Sequence, residues 1–178
     1  SGKYLPYIDV YPPNITNKTT RLSHYIGSII EKALSKEAVF ERYFAIRMIA
    51  ILYGMITVIC AYFIALWIGL RRNHALLVAG IISFQPQFSA TTAIINYDPL
   101  LIAAYSIFLL GATSVFRHSL RPANVITMIA ASVMAILTKG IGGVLFVLAA
   151  IVIIRGLWQK YEYVRKISKW KLFFTTLV

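Results

Sequence analysis

The chain has 178 residues, is 59% hydrophobic and carries a formal net charge of +12, from 18 Lys and Arg against 6 Asp and Glu. Its mean hydropathy of +0.73, with long apolar runs separated by short basic clusters, excludes a soluble globular protein and indicates a polytopic membrane protein. The cations fall in the connections between apolar runs rather than along one soluble face, which argues against nucleic acid as a partner and for membrane topology.

In chain order, residues 1 to about 22 are polar and turn-rich (YLPYIDVYPPNITNKTT), and Pro6, Pro12 and Pro13 oppose any long helix. NIT and NKT, starting at Asn14 and Asn17, are N-glycosylation sequons. The opening SGKYLPYIDV has no initiator Met, no apolar signal core and no A-x-A cleavage site, and KLFFTTLV stops as another apolar run begins. The chain is therefore read as an internal piece of a longer protein. From Ser23 to about Ala38, SHYIGSIIEKALSKEA predicts an amphipathic helix with Ser23 as N-cap. Ile26, Ile29, Ile30, Ala33 and Leu34 form its apolar stripe, with Lys32 and Lys36 opposite. Such a helix lies flat on a membrane surface.

Apolar runs follow at Phe44 to Leu70, Ala75 to Ile95, Leu100 to Phe116 and Val125 to Ile154. The first three suit single crossings of about 30 Å of hydrocarbon. As one helix the fourth would be about 45 Å long, and Thr138, Lys139, Gly140, Gly142 and Gly143 at its middle suit a turn between two short crossings. Charge decides between one crossing and two. Arg71 and Arg72 follow the first span, no Lys or Arg lies between Ile95 and Leu100, and Arg117 and Arg121 follow the third. Alternate connections are basic, which puts those ends in the cytoplasm. A hairpin at Lys139 keeps the most basic segment, RGLWQKYEYVRKISKWK, on that same side. The expectation is an all-α polytopic transmembrane helical bundle of about five spans. Residues 1–43 form an external loop and interfacial amphipathic helix, 44–156 the bundle, and 157–178 a basic cytoplasmic loop and the start of the next span.

In that topology Lys139, the Asn96-Tyr97-Asp98-Pro99 connection and the N-terminal segment share the outer face. Lys139 reads either as an interfacial anchor or as an anion-binding group; the neighbouring glycines admit close approach of a ligand or backbone. Asp98 reads either as a helix N-cap, with Pro99 at N1, or as a site residue. Asn96 can satisfy loop backbone in the same way. The second span carries Ser83, Gln85, Gln87, Ser89, Thr91 and Thr92, with Pro86 as a kink: helix-packing glue, or a polar wall beneath a cavity. His24, Tyr25, Arg42 and Arg47 either ring that cavity or anchor headgroups. Cys60 lies within an apolar run and reads as a core residue, with no second cysteine for a disulfide. His24, His74 and His118 are dispersed, so no metal site is argued.

The order QPQFSATTAIINYDPLL, a basic turn, then ILTKGIGGVLFVLAAIVIIRG resembles the GT-C membrane glycosyltransferases, a group that includes protein O-mannosyltransferases and the lipid A aminoarabinose transferase. In that group a span near an Asp-containing turn is followed, two spans later, by a Leu-Thr-Lys-Gly turn between short helices. The upstream RLSHYIGSIIEKAL is similar to the juxtamembrane helix of their first external loop, without the Pro-Pro that many members carry there. The resemblance covers most of residues 20–156, and LTKG is its most specific motif.

The resemblance implies an integral membrane enzyme of the plasma membrane or ER, moving a sugar from a polyprenyl-phosphate donor to a protein, lipid or glycan acceptor on the outer or lumenal face. It implies a carboxylate base in the first external loop and basic groups that neutralise the departing lipid phosphate. Lys139 is the expected donor-phosphate group, and Asn96, Asp98, His24, Tyr25 and Arg42 the expected cavity lining. Asp9 is the only acid in residues 1–30 and its YIDVY setting does not match the expected motif, so the base is expected upstream and the isolated piece is expected to be inactive. The expected partners are membrane lipid and the lipid-linked donor, and no cofactor is identified. A transporter or lipid-binding subunit recognising an anionic substrate is the alternative, with the hairpin as a discontinuous helix; the YDPLL and TKGIGG turns, however, show no inverted repeat. A pure assembly subunit would tolerate any substitution at Lys139 or Asp98 that preserves insertion.

Overall fold

The computed structural model describes residues 22–93, 95–118 and 120–175, with side chains described as far as Tyr161. The N-terminal loop, its sequons and Asp9 lie outside the described residues. The elements are α1 (Leu22–Ala33), α2 (Val39–Ile68), α3 (Arg72–Phe84), α4 (Pro86–Ala93), α5 (Asp98–His118), α6 (Pro122–Thr138), a 3₁₀ turn (Gly140–Gly143) and α7 (Val144–Thr175). Among the described residues there is no strand. The protein is an all-α membrane bundle. Three helical segments, Val39–Ile68, Asp98–His118 and Gly140–Tyr161, are long and apolar enough to cross a bilayer, and α6 is a shorter apolar helix.

Contacts fix the direction of each pass. Trp67, near the end of α2, stacks edge-on to His118 at the end of α5, with ring centroids 5.5 Å apart. Ala50 and Tyr53, in the first half of α2, share a cavity with Asn96, just before α5. These two helices therefore run in the same direction. Gly69 terminates α2 at φ 109°, where a Cβ would be strained; its N–H donates to Leu66 O and that of Leu70 to Ala65 O, the Schellman pattern. The chain then returns along α2 as α3 and α4. This return is broken rather than kinked: Gln85 is extended and Pro86 opens a new helix, as a residue without an N–H can at a first turn.

α6 runs back along α5, where Gly111 lies so close to Met128 that a Cβ would stand 2.9 Å from the Met128 side chain. α7 runs with α5, since Gly156 abuts Val115 and Leu120. The turn between α6 and α7 is the expected hairpin, at Lys139. Phe108, Val115, Met128, Ala135, Leu145 and Ala149 are among the residues that fill the seam of these three helices. Lipid tails are as apolar as these side chains, so close packing of small against large residues holds the seam rather than exclusion of water. The buried Ser132 hydroxyl donates to Met128 O of its own helix at 2.8 Å and leaves no polar group open.

Three boundaries differ from the sequence expectation. α1 begins at Leu22, so Ser23 lies inside the helix rather than capping it, and its Oγ is buried without a hydrogen-bond partner among the described residues. α1 ends at Ala33 and a turn leads into α2 at Val39, five residues before the apolar run begins. Ile26, Ile30 and Leu34 are partly buried while Ile29 is 51% exposed, so only part of the apolar stripe meets the bundle, at α2 and α6. At the other end, α7 stays helical to Thr175, so the basic segment continues a helix where a loop was expected. Spaced cations do not break a helix, since Lys and Arg are themselves good helix formers.

Candidate active site

Lys139 is the first residue beyond α6, extended at φ −157° and ψ 136°. Its backbone is held on both sides: its N–H donates to Ala135 O at 2.9 Å and its carbonyl accepts from Gly142 N–H at 2.8 Å. Gly142 is buried, and its backbone lies against the backbone of Ala135 where a Cβ would overlap the Ala135 carbonyl. That approach accounts for a glycine in the GIGG turn. From α5, the Tyr105 hydroxyl donates to Ile141 O at 3.2 Å. The turn is tied to α5 as well as to α6.

The Lys139 ammonium stands 4.0 Å from Asp98 Oδ1, with both side chains about two-fifths exposed (41% and 37%). It also lies over the Tyr97 ring, 4.8 Å from its centroid, within cation–π range. Asn96 Nδ2 donates to Asp98 Oδ2 at 2.9 Å, and Tyr97 N–H donates to Asn96 Oδ1 at 2.7 Å. Asp98 is not the N-cap the sequence allowed. Leu101 N–H donates to Tyr97 O, so Tyr97 occupies the cap position and Asp98 and Pro99 follow at the first two helical positions. Among the described residues the Asp98 carboxylate bonds to Asn96 and Lys139 rather than to a helix N–H. A negative charge in the first turn is still favoured by the helix dipole.

Beside this cluster is a cavity of about 210 Å³ between α1, the first half of α2 and the Ile95–Asn96 connection. Ser23, His24, Glu31, Tyr53 and Asn96 supply its polar lining, and Ile26, Ile30, Ile46 and Ile49 its apolar walls. Asn96 belongs to both the cavity and the Lys139 cluster. Of the residues expected to line one cavity, His24 and Asn96 do so, while Asp98 faces Lys139. Tyr25 is 60% exposed and outside the cavity. Arg42 lies 3.8 Å from Glu31, itself a lining residue, and does not reach the cavity wall. Arg47 opens onto a separate groove between α2 and the α3–α4 pass.

Three contributors escaped the sequence reading: Tyr97 under the ammonium, Tyr105 on the turn and Glu31 in the cavity. Tyr105 had a legible signal. It lies seven residues after Asp98, two helical turns along the same face. Glu31 had none, because its place depends on how α1 crosses α2.

The model of the family described as dolichyl-phosphate-mannose-protein mannosyltransferase matches residues 5–178. No curated protein and no solved structure matches the chain. The match spans the YDP connection, the LTKG turn and every helix that brings them together. This chain belongs to the dolichyl-phosphate-mannose-protein mannosyltransferase family, and so to the GT-C membrane glycosyltransferases.

Proposed function

We propose that the Lys139 cluster receives the phosphate of a polyprenyl-phosphate-linked sugar, and that the sugar passes to an acceptor on the outer or lumenal face. The family description supports mannose as the sugar and a protein as the acceptor. The observation that carries the reading is a half-exposed ammonium held at a rigid turn, beside a cavity with polar and apolar walls. Its pairing with Asp98 is long and partly solvated, a geometry worth about 0–1 kcal/mol, so an arriving phosphate can compete for it.

In the transfer, the acceptor oxygen forms a bond to the anomeric carbon as the bond from that carbon to the phosphate oxygen breaks. The phosphate leaves with the electron pair, and the acceptor proton goes to a carboxylate base upstream of the described residues. Lys139 meets the charge that develops on the phosphate, which a preorganised cation in a site of low dielectric does most effectively. Asp98 and Tyr97 orient the ammonium, and the Tyr105 hydroxyl and Gly142 hold the turn that carries it. Asn96 and His24 offer hydrogen bonds to sugar or acceptor hydroxyls within the cavity, while Arg42 links α2 to α1 through Glu31.

Arg71, Arg72, Arg117 and Arg121 lie at the opposite end of the bundle from Lys139, and the positive-inside tendency supports an outer position for the cluster. A cysteine at position 139 should react with an impermeant reagent from outside; protection there would reverse the orientation. In the full-length protein, Lys139→Met should insert normally and lose at least about tenfold in turnover, each tenfold being about 1.4 kcal/mol of barrier. Lys139→Arg should retain part of the activity, since its planar fork does not reproduce a point charge. Wild-type turnover by the Met variant would remove Lys139 from the site.

A further inference from the structure

Among the described residues, one cation of the α2 span has no hydrogen-bond or ion-pair partner. Arg47 lies eight residues into α2, about 12 Å along the helix at 1.5 Å per residue. It is exposed, and among the described residues it makes no hydrogen bond or ion pair. Ionisable groups within spans are ordinarily paired, so a cation with no partner among the described residues is open to an anion from the bilayer. Arg47 stands at one end of a groove of about 460 Å³ between α2 and the α3–α4 pass. From Arg47 to Ile59 the groove follows α2 for about 18 Å.

The groove offers little besides apolar surface. Ser83 donates to Ala79 O, Ser89 to Ser83 O and Thr92 to Phe88 O, so its hydroxyl protons are already engaged by backbone carbonyls. Ile51, Met55 and Ile59 on its α2 wall are 41%, 54% and 51% exposed, as side chains facing lipid would be. A cation at the outer end of an apolar trough of that length matches an anionic headgroup above one acyl chain.

We infer that the α2–α4 groove binds one acidic glycerophospholipid of the bilayer, with its headgroup phosphate on Arg47 and one acyl chain lying toward Ile59. The donor is a different lipid at a different place. Asn96, Asp98 and Lys139 do not line this groove, and the groove and the His24–Asn96 cavity occupy faces of α2 about two-fifths of a turn apart at 3.6 residues per turn. A lipid whose phosphate sits on Arg47 in this groove touches none of the residues of the Lys139 cluster or of that cavity.

The test is binding of phosphatidylglycerol to the delipidated full-length protein in detergent, followed by native mass spectrometry. Wild type should retain one lipid, Arg47→Gln should weaken binding at least tenfold, and Arg47→Lys should retain part of it. Met55→Trp, which fills the trough and leaves Arg47 in place, should also lose the lipid; thermal midpoints report whether each variant is folded. Lys139→Met should bind phosphatidylglycerol as wild type does, whatever its effect on transfer. Equal binding by wild type, Arg47→Gln and Met55→Trp would overturn the assignment. Displacement by a polyprenyl phosphate with the same dependence on Arg47 would also overturn it, by giving the groove to the donor.

Discussion

Helix α5 passes through two contrasting regions. At its middle, Phe108 is 2% exposed against Met128 at 0% and Leu145 at 1%, in a seam of small and large side chains whose buried Ser132 hydroxyl is bonded within its own helix. At its start, Asp98 joins Asn96, Tyr97 and Lys139 in a cluster that is half-exposed and joined by a 4.0 Å ion pair. The first region depends on side-chain volume, where a missing methylene leaves a void that neighbours cannot close. The second depends on charge at a fixed place and contributes little to holding the fold together. On the proposed function, so weak a pairing leaves the ammonium open to a phosphate.

That contrast predicts opposite phenotypes for neighbouring substitutions on one helix. Phe108→Ala should have the largest effect on stability, about 3–5 kcal/mol by analogy with soluble cores, seen as a lowered thermal midpoint in detergent. Transfer activity per folded molecule should be unchanged. A normal midpoint would mean that the seam does not hold the bundle. Asp98→Asn should do the reverse: it retains a hydrogen-bonding partner for Asn96 but loses the charge that orients Lys139. Expression and midpoint should match wild type, since a half-exposed pair is worth at most about 1 kcal/mol, while turnover should fall roughly tenfold, about 1.4 kcal/mol of barrier. Full activity would reduce Asp98 to a favourable first-turn charge.

The smallest effect concerns the turn between α1 and α2, which belongs to neither region. Glu37 has its carboxyl pKa raised above the usual 4.5, first by a hydrogen bond with Glu41, then by the like charge of that residue, with a further contribution from desolvation. A raised carboxyl pKa gives a contribution to stability that is fully present below the unfolded value and lost as pH rises through the folded one. Glu37→Gln should therefore flatten the dependence of the thermal midpoint on pH in that acidic window. It should leave transfer at neutral pH unaltered. An unchanged pH profile would show that the two carboxyls do not interact in solution.

The sequence by itself determined the all-helical membrane class and the hairpin at Lys139, because apolar run length and the placement of basic residues between runs are local quantities; the break of the second run into α3 and α4 is legible there only as a kink. The shared end of Lys139, Asp98 and Asn96 followed from the same counting of crossings. The GT-C resemblance rested on short motifs within those passes, and the family match spans the chain from residue 5 to 178. What remained hidden depended on helix rotation and crossing. Periodicity states which residues share a face of a helix but not which neighbour that face meets. Tertiary structure alone decided that Arg42 turns to Glu31 and Arg47 to a separate groove, although five residues on one helix separate them. It also decided that Tyr97 caps α5, which frees the Asp98 carboxylate to face Lys139. That exchange turns on the placement of a single backbone hydrogen bond at the helix start; Pro is commonest at N1 but is accommodated elsewhere in the first turn, so Asp-Pro alone does not fix the position.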